Sequence, residues 1–192
     1  MASRPTSPAP RRSLLHALGI YGWEGLEPAV LAALAPESPL LLIGGHGTAK
    51  TLLLGRLAAA LGLEHRHYNA SLLSFDDLVG FPVPQDGRLV WLQTPATIWE
   101  AESALFDEVS RCRPELQNKL FPIVHERVVQ GLALPRLRHR WAAMNPPPRP
   151  DGPDDATAYA GAEPLDVALA DRFAFVLESP GFDDLPPADQ QL

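Results

Sequence analysis

The chain has 192 residues, 46% hydrophobic and 20% charged, with a formal net charge of −7 at pH 7. That length suits one α/β domain with tails, and the acidic balance argues against a protein whose main task is wrapping nucleic acid. A single cysteine, Cys112, excludes an internal disulfide and fits a reducing cytoplasm, while Gly, Pro or charge breaks every apolar run short of a membrane span.

The 21 prolines crowd into residues 1–10, residues 146–164 and the tail from Pro180. A flexible leader is therefore expected over 1–13, a folded body over 14–179 with one long Pro/Gly/Asp loop inside it, and a tail over 180–192. The first twelve residues lack the apolar centre of a secretion signal, and their prolines oppose the amphipathic helix of a transit peptide.

Leu40-Leu41-Leu42-Ile43 has the pattern of a strand buried on both faces. Lys50 to Leu61, rich in Leu and Ala, follows as a helix, and His65 to Asn69 as a second strand. Phe81 to Thr94 carries Gln85-Asp86-Gly87 between two β-prone arms, a hairpin signal. Ala104-Leu105-Phe106 is a third short strand. Pro114 to Glu126 has Leu116, Leu120, Ile123 and Val124 at helical spacing, with a kink or early end expected at Pro122. Trp141 to Met144 and Phe173 to Leu177 complete the set of strands. Strands alternating with helices imply a parallel sheet covered on both faces.

Three sequence features carry chemistry. Gly44-Gly45-His46-Gly47-Thr48-Ala49-Lys50-Thr51 lies between a buried strand and a helix that continues with Leu52. Glycines let backbone N–H groups converge on phosphate oxygens, and the helix N-terminus adds partial positive charge. Lys50 would reach the β- and γ-phosphates of ATP, and the Thr51 hydroxyl would ligate Mg²⁺. Ala49 occupies the place of the usual glycine, which is acceptable if it already sits in the first helical turn and needs no positive φ. Before any phosphate is bound, Lys50 is expected to face solvent. The second feature is Asp107-Glu108, where an apolar strand ends in two carboxylates, a costly arrangement unless they meet a cation or water. Asp107 would hold Mg²⁺ through its water shell, and Glu108 would act as general base. The third is Asn145, an uncharged amide at a strand end that could orient the lytic water, or merely start a turn before Pro146.

These residues resemble the AAA+ ATPases, and among them the MoxR-like group. The loop with alanine before lysine, the Asp107-Glu108 pair and the strand Ala142-Ala143-Met144-Asn145-Pro146 match its phosphate loop, acid pair and first sensor. Pro164-Leu165 with Ala168-Leu169-Ala170-Asp171-Arg172-Phe173 resembles its arginine-finger element. Softer matches lie at Ser74 to Gly80, Ile98 to Ala101 and Glu115 to Leu120. The resemblance implies an α/β P-loop NTPase core, a five-stranded parallel sheet flanked by helices with β-hairpin insertions. It also implies a homo-oligomeric ring, a hexamer in the family, with Arg172 reaching the γ-phosphate held by the next subunit. An ion pair with Asp171 or Glu178 is the competing role for Arg172. Family members continue into a helical lid, and Asp183-Asp184-Leu185-Pro186-Pro187 looks like the start of a linker to it.

Other features are set aside. Arg136-Leu137-Arg138-His139-Arg140 could contact nucleic acid or a partner, but alternating charges at a strand end more often make a solvated or interface-paired face. His65 and His67 share a strand face as metal ligands would, yet no third ligand is near and a zinc site is not expected. Cys112 has no partner that would mark it as a nucleophile, and Trp91 and Trp99 are expected to pack. The expected function is ATP hydrolysis that remodels or matures a protein client in the cytoplasm. The alternatives are a nucleotide-gated assembly module without turnover, or a nucleic-acid motor of the related chelatase and helicase branches, which the acidic charge opposes.

Overall fold

The computed structural model describes residues 13–147, 165–181 and 184–185. In chain order the elements are α1 (Leu14–Ala17), α2 (Glu27–Leu34), β1 (Leu40–Ile43), α3 (Lys50–Ala60), β2 (His65–Asn69), α4 (Phe75–Val79), β3 (Phe81–Gln85) and β4 (Arg88–Leu92). There follow β5 (Ser103–Asp107), a 3-10 turn (Val109–Arg111), α5 (Pro114–Glu126), β6 (Val128–Val129), β7 (Leu132–Ala133), β8 (His139–Met144), α6 (Val167–Ala170) and β9 (Phe175–Glu178).

Five strands form one sheet in the order β2-β5-β8-β1-β9, and every pair in it is parallel. Two separate two-stranded hairpins, β3-β4 and β6-β7, are the insertions. The apolar run of β1 shows why the sheet is covered on both sides. Leu40 and Leu42 point into one core with Leu53, Leu54 and Leu57 of α3, Trp23 and Val30, whereas Leu41 points into the other with Leu116, Leu120 and Ile123 of α5. On α3 the buried positions Lys50, Leu53, Leu54, Leu57 and Ala58 follow helical spacing.

Two expectations are corrected. The helix α5 does not end at Pro122 but runs on to Glu126. The carbonyl that Pro122 leaves without an N–H donor is that of exposed Asn118, while Leu116, Leu120, Ile123 and Val124 are buried. Burying such side chains is worth about 1.5–3 kcal/mol each, which outweighs a proline penalty of about 3 kcal/mol. The basic cluster is a solvated face only in part: Arg136 and Arg138 are exposed, as expected, whereas His139 and Arg140 turn into the protein. Arg140 is 4% exposed and His139 3%. The Arg140 guanidinium donates to the Val124 carbonyl at 3.1 Å, to the Glu37 carbonyl at 2.8 Å and to the Arg138 carbonyl. Arg138 pairs with Glu37 at 2.7 Å and Arg136 with Glu100 at 2.8 Å. Burial first, and Arg127 next, pull the Arg140 pKa down to about 10, with Glu37 opposing.

Of the tryptophans, Trp91 and Trp99 pack against the core, and Trp99 Nε1 donates to the Val79 carbonyl at 2.7 Å. Most of the proline-rich loop, including Pro164, and nearly all of the leader lie outside the described residues. No helix among the described residues is long and apolar enough to cross a membrane.

Candidate nucleotide site

The register brings the C-terminal ends of three central strands together. Ile43 pairs with Met144, and β5 runs alongside β8, so Gly44, Asn145 and Asp107 emerge side by side. In open parallel sheets that edge is where ligands bind.

From β1 the chain turns at Gly44, whose N–H donates to the Met144 carbonyl at 3.1 Å. A Cβ on Gly44 would lie 1.6 Å from Ser179 Oγ, so no larger residue fits without movement. Ser179 Oγ in turn donates to Thr48 Oγ1 at 2.7 Å, and Trp23 Nε1 donates to the Thr48 carbonyl at 3.2 Å. The loop is thus held from the end of β9 and from the segment before α2. Gly47 has φ 75°, in the left-handed region glycine prefers.

Ala49 departs from expectation. It caps α3 with φ 63° and ψ 14°, a left-handed conformation, and is not within the first helical turn. Lys50 departs as well. It is only 8% exposed, and its Nζ donates to the Gly44 carbonyl at 2.8 Å, the Gly45 carbonyl at 2.7 Å and Thr48 Oγ1 at 3.3 Å. The ammonium thus folds back onto carbonyls of its own loop. Burial lowers the Lys50 pKa, while the Asp107 and Glu108 charges oppose that shift.

Thr51 Oγ1 donates to Asp107 Oδ2 at 2.8 Å, bridging α3 and β5. Asp107 Oδ1 accepts the Glu108 N–H at 2.9 Å. Burial alone would raise the Asp107 pKa, but hydrogen bonds from His67, Thr51 and the Glu108 N–H outweigh it and hold the carboxyl below its ordinary value. Glu108 has φ 56° and ψ 37°, a left-handed conformation that costs a non-glycine residue about 1 kcal/mol or more. Its Oε2 is buried without a hydrogen bond, with Arg111 Nε 3.5 Å away. Asn145 is 2% exposed, and its amide nitrogen lies 3.4 Å from His46 Nε2.

A cavity of about 240 Å³ is lined by His46 to Leu52, Asp107, Glu108, Met144 and Asn145. The structure therefore brings His46 to Leu52 of the loop, the acid pair and Asn145 together around one cavity, with Gly44 and Gly45 outside its lining. Arg172 is not among the lining residues. It is half-buried in the turn after α6, and neither Asp171 nor Glu178 pairs with its guanidinium. The Thr51 hydroxyl and Asp107 carboxylate are hard oxygen donors of the kind Mg²⁺ takes, so the set fits that ion. A neighbouring cleft of about 110 Å³ shares His46 to Ala49 and adds Tyr21, Trp23, Pro180, Gly181 and Leu185. Sequence reasoning missed Tyr21, Trp23 and Ser179, which have no local pattern. It also missed the contact of His67 with Asp107, although the shared face of His65 and His67 was visible.

Known proteins resemble this chain in sequence and in fold. The family model for the AAA domain (dynein-related subfamily) matches residues 39–173. NorQ of Paracoccus denitrificans is 34% identical over 110 residues, covering 54% of this chain and 40% of NorQ, so the chain spans less than half of that relative's length. A crystal structure of a candidate ATPase from Cytophaga hutchinsonii superposes with a TM-score of 0.65 at 22% identity, covering 92% of this chain and 52% of the other. The Saccharomyces cerevisiae Hsp104–ADP complex gives a TM-score of 0.56 at 17% identity, covering 87% and 29% respectively. The chain belongs to the dynein-related subfamily of AAA domains and is an AAA+ P-loop domain of the MoxR-like kind.

Proposed function

We propose that this domain binds ATP with Mg²⁺ and hydrolyses it at the cavity bounded by the phosphate loop and the acid pair. The observation that carries the reading is the Thr51–Asp107 hydrogen bond of 2.8 Å beside Lys50 and Glu108, which unites the metal-binding and phosphate-binding halves. The backbone from Gly44 through Leu52 wraps the phosphates, and Lys50 exchanges its carbonyl partners for β- and γ-phosphate oxygens. The Thr51 hydroxyl would hold Mg²⁺, with Asp107 acting through the water shell, and the ion would supply positive charge to offset that of the phosphates. Asn145 orients the attacking water. Glu108 takes its proton as the bond to the β–γ bridging oxygen breaks, leaving ADP and phosphate. The buried, unbonded Oε2 of Glu108 has the acceptor capacity for this. The cleft with Tyr21, Trp23 and Leu185 suits the apolar face of the base, and the ADP held by Hsp104, a protein of similar fold, supports a nucleotide as ligand.

At the level of the assembly, the domain works in a homo-oligomeric ring in which Arg172 serves the next subunit, and turnover remodels a protein client. Family membership and the absence of Arg172 from the lining of its own chain's cavity support this. The test is Glu108→Gln, which keeps the shape but not the base. ATP binding measured by calorimetry should be retained while phosphate release falls about 10²–10⁴-fold. Turnover equal to that of the parent protein would remove Glu108 from the mechanism.

A further inference from the structure

His65 and His67 lie two residues apart on the same face of β2, which pairs in parallel with β5. They take different partners. His65 Nδ1 meets Ser103 Oγ at 2.8 Å, directly across the register. His67 faces Leu105 across the register, yet its ring reaches forward, and Nε2 lies 3.3 Å from Asp107 Oδ2. That oxygen also accepts from Thr51, while the other carboxylate oxygen accepts the Glu108 N–H. An ionised carboxylate only accepts, so Nε2 carries the hydrogen. Three donors from three segments therefore fix a group whose terminal torsion is otherwise broad.

We propose that His67 is a positioning residue for divalent-metal binding. By donating Nε2–H to Asp107 Oδ2, it holds the carboxylate in the orientation that receives the metal's water shell against Thr51. This inference rests on the reading of Asp107 as a Mg²⁺-binding group. Donors to a direct metal ligand set its rotamer before the ion arrives, and their loss typically costs 10–100-fold in metal affinity; Asp107 acts through water, so His67 lies one shell further out. The His67 side chain is 46% exposed, so water competes with it, and the effect belongs at the low end of that range. Exposure also means that replacing His67 leaves the two hydrophobic cores intact.

The experiment titrates Mg²⁺ into the full chain with a fluorescent ATP analogue and reads the Mg²⁺ concentration at half-maximal nucleotide binding. His67→Leu is expected to raise that concentration about tenfold without changing analogue binding in the presence of a chelator. His67→Gln, which restores an N–H donor of similar reach, is expected to stay close to the parent. Asp107→Asn run alongside separates the two layers of the argument. If Asp107→Asn weakens the Mg²⁺ response and His67→Leu does not, the role of His67 is overturned. A His67→Gln variant as impaired as His67→Leu would mark a packing effect and overturn it equally. An unchanged Mg²⁺ response in Asp107→Asn would remove the reading of Asp107, and that of His67 with it.

Discussion

At residue 49 the phosphate loop holds an alanine in a backbone conformation built for glycine. With φ 63° and ψ 14°, its Cβ crowds the following carbonyl, a cost of about 1–2 kcal/mol for an L-residue. Glycine would relieve that strain but would add freedom to the unfolded chain worth about 0.4–1 kcal/mol. The first term is larger, so Ala49→Gly should stabilise the domain by about 0.5–1 kcal/mol. Urea unfolding should show a higher midpoint at unchanged slope. A lower midpoint would mean that neighbouring contacts, not glycine-like torsion, set the conformation of residue 49. The same residue shows where sequence reading stops. Gly-x-x-x-x-Ala-Lys-Thr locates the loop, but torsion at one residue depends on how Thr48 is tied to Trp23 and Ser179, 25 and 131 positions away. The inward turn of Lys50 was hidden for a different reason, because its partners are backbone carbonyls of Gly44 and Gly45, which no side-chain pattern reports.

Individual elements were legible where an apolar run and a boundary residue agreed. β1, α3, β5 and the β3–β4 hairpin appear within a residue or two of their expected ends, the first three because burial enforces their patterns and the largely exposed hairpin because Asp86-Gly87 fixes its turn. The N-terminal extension of β8 to His139 was not legible, because charged residues in a strand signal solvent unless their partners are known. Those partners are distant in sequence: Arg140 binds carbonyls of Val124 and Glu37, 16 and 103 positions away. This knot joins the end of α5, the turn before β1 and the start of β8. Truncating Arg140 would leave the Val124 and Glu37 carbonyls without their donor, at about 1–3 kcal/mol for each buried group left unsatisfied. Arg140→Ala should therefore destabilise the domain by about 2–4 kcal/mol, readable as a lower denaturation midpoint. Arg136→Ala removes an exposed pair with Glu100 and Glu102 and should leave the midpoint nearly unchanged. Equal effects from the two substitutions would show that Arg140 is no more structural than its exposed neighbour.

Across the whole molecule, chain order and strand order together explain why residues 44 to 52, 107, 108 and 145 meet. The sheet order β2-β5-β8-β1-β9 sets the ends of β5, β8 and β1 next to one another, and each contributes the residue that follows an apolar run. Arg172 follows a different logic, since it precedes β9 at the sheet edge and lines no part of its own chain's cavity. A guanidinium without a carboxylate partner among the described residues suits a phosphate brought by another molecule, with several donors in fixed geometry. Head-to-tail association would carry this edge toward the cavity of a neighbour and would close into a ring if the rotation allows. The expected outcome follows from mixing two variants in an assembling, full-length form of the protein. Arg172→Ala keeps Glu108 but lacks the finger, and Glu108→Gln keeps the finger but lacks the base, so each alone should be nearly inactive. Random mixing in equal amounts creates, at about one interface in four, a complete site with Glu108 from one subunit and Arg172 from the next. Phosphate release should recover toward that fraction of the parent rate. If Arg172 acted within its own subunit, no mixed interface would be complete and nothing would recover. If Arg172→Ala alone hydrolysed ATP at the parent rate, the residue would have no part in the reaction.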